Sequence, residues 1–127
     1  LLLVVDSSRG RVGADIETLD RCHAAWKEAS RLFAPAERAA LDRLPAARRP
    51  LAFARLWTAK EAVLKARGIG LTAGLAEPDL SGLPDLDAAG PWHPKLLNLG
   101  DETYVVTWYM LNIDEAVAVA ARADTRD

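Results

Sequence analysis

Hydrophobic and polar positions repeat along this chain with two different periods, and the changes of period mark its elements. Residues 11–17 ("RVGADIE") alternate like a strand, directing Asp15 and Glu17 to one face and Ala14 and Ile16 to the other. The apolar run Leu1 to Val5 stands before it across the turn-rich "DSSRG", so the three pieces predict a β-hairpin. From Thr18 onward Leu19, Cys22, Trp26, Ala29 and Phe33 recur at three- and four-residue spacing. That spacing predicts an amphipathic helix with Thr18 as N-cap and Cys22 on its apolar stripe. Pro35 interrupts it, and a short second helix is predicted over Ala36 to Leu44, with Glu37 in its first turn, where the helix dipole favours an anion. Pro50 opens the strongest helix, "LAFARLWTAKEAVLKARG", which Gly68 caps.

Residues 69–102 are rich in Pro, Gly and Asp, and the stretch is too long for an ordinary connection, so short strands or a functional loop are expected inside it. The stretches "TYVVTWYM" and "EAVAVAA", joined by "LNIDE", predict a second hairpin. The order of strands and helices favours an α+β domain, an antiparallel sheet packed against the long helix. Residues 1–127 read as a single domain, half apolar in composition. No apolar run approaches the length of a membrane span, so no membrane partner is expected. The chain starts at Leu, inside an apolar run, which leads us to expect that an N-terminal portion of a longer polypeptide precedes it.

Cys22 is the only cysteine. An internal disulfide and a Cys-based zinc site are excluded, and a reducing cytoplasm is the expected setting. A formal net charge of −2 gives no reason to expect nucleic acid as a partner. The halves differ, however: residues 1–67 carry 13 Lys or Arg against 8 acids, and residues 68–127 carry 3 against 10. A basic half suits a phosphate-bearing ligand or an acidic protein, and it equally suits helices with solvated arginines.

Two carboxylates on one face of a strand repel each other unless a cation or water intervenes. On the long helix, Thr58, Glu61 and Lys65 share a face, with Lys60 adjacent. Taken alone, Glu61 and Lys65 are a surface ion pair contributing roughly 0.3–0.5 kcal/mol. If that helix packs near Asp15 and Glu17, three carboxylates converge beside a lysine. Oxygen-only ligation then selects a hard cation such as Mg²⁺, with Lys65 left to meet a phosphate.

The segments "VGADIE" (12–17) and "LWTAKEAVLKARGIGL" (56–71) together resemble the paired signature of the 4′-phosphopantetheinyl transferases, and Phe33 and Glu37 between them match the family's F-x-x-x-E arrangement. The resemblance implies transfer of 4′-phosphopantetheine from coenzyme A to a serine of an acyl, peptidyl or aryl carrier protein, that is, holo-acyl-carrier-protein synthase activity. It implies Asp15, Glu17 and Glu61 as Mg²⁺ ligands, Lys60 and Lys65 at the coenzyme A phosphates, and Glu61 and Lys65 as catalytic residues. For the serine proton, Glu61, a metal-held water and Glu37 all remain open. Carrier proteins are acidic, so Arg31, Arg38, Arg43, Arg48, Arg49 and Arg55 suggest a docking face. Trp57, Cys22, His23 and His93 are expected to be structural or solvent-facing. Gly13 is expected to relieve crowding near the metal or allow a bulge, and Gly68 and Gly70 to cap the helix or approach a phosphate.

Family members come as short single-lobe synthases that oligomerise and as double-length, two-lobed enzymes. The strand "LLLVV" ahead of the acidic strand resembles the C-terminal lobe of the long form, whose Ser-His stretch and basic first lobe have no counterpart in these residues. Two other readings stay open: a non-catalytic carrier-binding lobe, and an unrelated Mg²⁺-dependent phosphohydrolase.

Overall fold

In the computed structural model, the described residues are 11–68, 79–81, 94–110 and 115–123. Strand β1 (Val12–Thr18) leads into helix α1 (Leu19–Ala29), a 3₁₀ turn (Ser30–Leu32) and α2 (Pro35–Asp42). A second 3₁₀ turn (Ala46–Arg48) precedes the 19-residue α3 (Arg49–Arg67), followed by β2 (Lys95–Leu99), β3 (Glu102–Met110) and β4 (Glu115–Arg122). The strands form one antiparallel sheet in the order β1-β4-β3-β2. The expected α+β fold is therefore present, with the long helix packed on the sheet. No helix among the described residues is long and apolar enough to cross a membrane.

Most of the expected boundaries hold to within a residue or two. Thr18 Oγ1 accepts the Arg21 N–H at 3.2 Å, as an N-cap does. Pro35 does more than interrupt: it occupies the first turn of α2, where its missing N–H costs nothing, so that helix begins a residue earlier than predicted and ends two residues earlier, at Asp42. Gly68 closes α3 in the left-handed conformation at φ 74°. Of the short strands or functional loop expected within residues 69–102, the described residues show one strand, β2. The predicted strand at residues 1–5 and its hairpin lie outside the described residues, as do Gly70 and His93.

Strand register sorts the side chains. Gly13, Asp15 and Glu17 of β1 stand opposite Ala120, Ala118 and Ala116 of β4, of which Ala120 and Ala118 in turn stand opposite Val106 and Trp108 of β3. This face meets α3, which lies across β1 and β4. The helix can come close because its sheet-facing residues are small: Ala59, Ala62 and Ala66 are fully or almost fully buried, as are Ala116, Ala118 and Ala120. Bulk is supplied by Trp108, Tyr104 and Val106 of β3 and by an aromatic group beneath the other side of α3. There Phe33 stacks on Phe53 at 5.5 Å, and Trp57 meets Phe53 edge-on at 5.4 Å. Each large side chain fully buried in this way contributes about 1.5–3 kcal/mol relative to exposure. The Trp108 indole N–H donates to the carbonyl of Arg55, tying β3 to the middle of the helix.

The closest approach falls at Gly13. A Cβ there would overlap the Ala62 carbonyl oxygen and the Ala66 amide nitrogen and lie 2.9 Å from Lys65 Cβ. Any side chain would push β1 and α3 apart. The crowding expected near a metal is instead crowding against the backbone of α3.

A second attachment secures α2 and α3. Lys60 and Glu37 are both fully buried, with Lys60 Nζ donating to both carboxylate oxygens at 2.8 and 2.9 Å and lying 5.2 Å from the Phe33 ring centroid. Glu37 also accepts the Ala34 N–H at 2.9 Å, as a helix cap, and the Leu80 N–H at 2.8 Å. One carboxylate thus joins α2, α3 and the buried Leu80 of the connection that follows α3. Burial pushes the Glu37 carboxyl above the usual range, with Lys60 opposing the shift.

Gly13→Ala is expected to lower stability by about 1–3 kcal/mol or more in thermal or urea unfolding, since overpacking here meets backbone; an unchanged transition would show that β1 and α3 do not touch there. Lys60→Met alone should cost about 3–5 kcal/mol by stranding a buried carboxylate. The double variant Glu37→Gln/Lys60→Met removes both charges, but the amide oxygen can accept only one of the Ala34 and Leu80 N–H groups, so urea unfolding should show part of that loss recovered.

Candidate active site at the seam of β1 and α3

Strand alternation delivers Asp15 and Glu17 to the helix side of β1, and the i, i+4 spacing delivers Glu61 and Lys65 to the strand side of α3. Lys65 Nζ donates to Asp15 Oδ1 at 2.9 Å and to the Ala14 carbonyl at 3.2 Å. Asp15 Oδ2 is buried and has no hydrogen-bond partner. Glu17 lies 3.7 Å from the guanidinium of Arg21, one helical turn into α1.

All three carboxyls are held above their ordinary range. Desolvation is the main cause for each. Glu17 is raised further by Asp15, and Glu61 by both Asp15 and Glu17, while Lys65 pulls each of the three back toward ionisation. The three anions are thus within electrostatic reach of one another and only partly compensated. Cys22 feels the same field: burial first, then Glu17 and Asp15, push its thiol up to about 12, so it is an inert thiol at neutral pH.

Of the residues singled out in the sequence, Asp15, Glu17, Glu61 and Lys65 come together. Lys60 does not join them. Adjacent helical residues point about 100° apart, so with Glu61 facing β1, Lys60 is turned into the core against Glu37, where a phosphate has no access. Glu37, one of the open choices for the base, is fully buried and fully engaged in the same pair. The suggested arginine face is also smaller than expected. Arg55 is buried, and Arg49 donates to the carbonyls of Leu44 at 3.0 Å and Asp42 at 3.1 Å, leaving Arg31, Arg38, Arg43 and Arg48 exposed. His23 is exposed, and Trp57 packs half-buried against the core with its indole nitrogen buried and unpartnered. The Arg21–Glu17 pair was not anticipated, although its i, i+4 spacing was legible in the sequence.

The model of the 4′-phosphopantetheinyl transferase superfamily matches residues 11–120. This chain belongs to that superfamily. A holo-[acyl-carrier-protein] synthase of Solidesulfovibrio magneticus is 36% identical over 107 residues, covering 76% of this chain and 84% of that protein. A Synechocystis protein named as a candidate 4′-phosphopantetheinyl transferase is 42% identical over 69 residues, 54% of this chain but only 28% of that protein. The fold resembles that of a holo-(acyl-carrier-protein) synthase from Bacillus anthracis, crystallised in complex with CoA (3′,5′-ADP), at a TM-score of 0.62 and 19% identity over 88% of this chain and 94% of that one. Residues 12–17 and 56–67 of the motifs read from the sequence lie in β1 and α3, the two elements of the seam.

Do these residues suit a metal? Among the described residues no three His, Cys, Asp or Glu side chains close around a common point. The donor set is nevertheless all oxygen, under-compensated in charge, and includes a buried carboxylate oxygen lacking any partner, which fits a hard divalent cation.

Because the folded carboxyls are raised, their contribution to stability is largest below the unfolded-state range near pH 4 and is lost as pH rises through the folded values. In buffer free of divalent cations, Glu17→Gln should therefore raise the melting temperature at pH 8 and leave it nearly unchanged at pH 4. An equal shift at both pH values would contradict the proposed electrostatic cost.

Proposed function

We propose that this phosphopantetheinyl transferase lobe moves 4′-phosphopantetheine from coenzyme A to a serine hydroxyl of an acyl, peptidyl or aryl carrier protein, using a divalent cation such as Mg²⁺. The observation that carries the proposal is the convergence of Asp15, Glu17 and Glu61 with Lys65 at one seam, in a chain of this superfamily. Asp15, Glu17 and Glu61 would hold the cation, which when bound supplies positive charge for the pyrophosphate oxygens of coenzyme A.

The chain's own residues would do the rest. Lys65, whose side chain is half exposed, reaches from α3 toward the pyrophosphate and offsets charge on the transferring phosphoryl group. The serine oxygen forms a new bond to that phosphorus as the bond to adenosine 3′,5′-bisphosphate breaks. Glu61, on the same seam as Lys65, takes the serine proton as general base. The exposed arginines 31, 38, 43 and 48 suit the approach of an acidic carrier protein.

Mass spectrometry of an apo carrier protein incubated with this chain, coenzyme A and Mg²⁺ should reveal the phosphopantetheinyl adduct. Lys65→Ala and Glu61→Gln should each slow transfer by about 10²-fold or more. Full activity of Glu61→Gln at saturating Mg²⁺ would remove both roles given to Glu61. Release of inorganic phosphate with no adduct on any carrier would favour a phosphohydrolase instead.

A further inference from the structure

Each carboxylate on β1 is paired with a basic side chain from a neighbouring helix, and in both pairs the anion is sheltered while the cation is exposed. For Asp15 and Lys65 the side-chain exposures are 9% and 53%; for Glu17 and Arg21 they are 15% and 77%. The carboxylates are fixed by the strand, whereas the cations sit on long, flexible stems able to leave. Lys65 makes the shorter pair, and it takes only one of the two Asp15 oxygens, leaving buried Oδ2 unpartnered.

We infer that Lys65 is a resident counter-ion at Asp15 which a divalent cation displaces, so that cation entry is the event that frees Lys65 for an anionic ligand. The inference rests on the reading of Asp15, Glu17 and Glu61 as cation ligands and adds an order and a coupling to it. With the two basic side chains in place, the three ionised carboxylates leave the seam with a net charge of minus one. A divalent ion turns that to plus one. The resulting repulsion falls on both basic side chains, and Lys65 is the one bonded to the carboxylate whose other, buried oxygen is open to the entering ion. The seam then presents positive charge outward, which attracts phosphate oxygens. By linkage, an anionic ligand that holds Lys65 away from Asp15 must strengthen cation binding by the same factor as the cation strengthens its own.

The test is Mn²⁺ titration by calorimetry, first without coenzyme A. Lys65→Met should bind Mn²⁺ about two- to tenfold more tightly than the parent, because an exposed pair of this kind is a weak competitor. Lys65→Arg, which keeps a cation at Asp15, should stay within about twofold of the parent. So should Lys27→Met, which removes the same charge at the far end of α1. With coenzyme A present, the parent should gain about fivefold or more in Mn²⁺ affinity, and Lys65→Met should gain clearly less, since only the cation's own attraction for the pyrophosphate is left to it. Equal or weaker Mn²⁺ binding by Lys65→Met in the absence of coenzyme A would overturn the exchange while leaving the cation site intact. Absence of coupling in the parent would overturn the exchange too. Failure of every protein to bind Mn²⁺ would overturn the exchange together with the reading of the three carboxylates as ligands.

Discussion

The contact of two backbones at Gly13 is the constraint on which the rest of the structure depends. Because Gly13 has no side chain, the Ala62 carbonyl and the Ala66 amide of α3 can lie directly against β1. Two residues further along the strand, on the same face, stands Asp15; on the helix, in the same turns, stand Glu61 and Lys65. A Cβ at Gly13 would separate strand and helix, and the 2.9 Å pair between Lys65 and Asp15 would open with them. The alanines of α3 and β4 extend the same close approach across the sheet. The seam thus gathers like charges that would not come together by themselves, at an energetic cost borne by the surrounding core.

The far side of α3 is held by the buried pair of Lys60 and Glu37. Buried ion pairs seldom add much net stability, since desolvating both charges offsets most of their attraction. What this pair does supply is direction. Glu37 collects donors from Ala34, Lys60 and Leu80, and so sets where Lys60 points. The rotation of α3 is thereby determined from both sides, by a steric contact at Gly13 and by a polar one at Glu37. Lys60 and Glu61 are neighbours in sequence and have opposite duties: the first faces the core, the second the seam.

Superfamily membership and the geometry of the seam support the same proposal. A phosphoryl transfer asks a protein mainly for positioning and for positive charge near the pyrophosphate. Under the proposed function, this fold would meet that demand indirectly, by gathering carboxylates on a strand and a helix beside two exposed basic side chains. Burial holds all three carboxyls above their usual range, and neighbouring carboxylates add to the rise at Glu17 and Glu61.

Much of this was legible before any coordinates. Alternation placed Asp15 and Glu17 on one face, the spacing of four placed Glu61 with Lys65, and Pro35, Pro50 and Gly68 marked helix ends, because these signals are local and depend on one residue's own backbone or its near neighbours. Thr18 was readable as a cap for the same reason. The partnership of Lys60 with Glu37, 23 residues away, was not, since motif similarity marks a lysine as important without saying which way it points. Nor was the burial of Arg55, which composition counted among the surface arginines. The purpose of Gly13 likewise appeared only once α3 lay on β1. The sequence by itself determined the elements, their amphipathic faces and the identity of the charged residues. Only the tertiary structure decided which charges meet water and which meet each other, because that depends on contacts between segments whose separation along the chain carries no record of their distance in space.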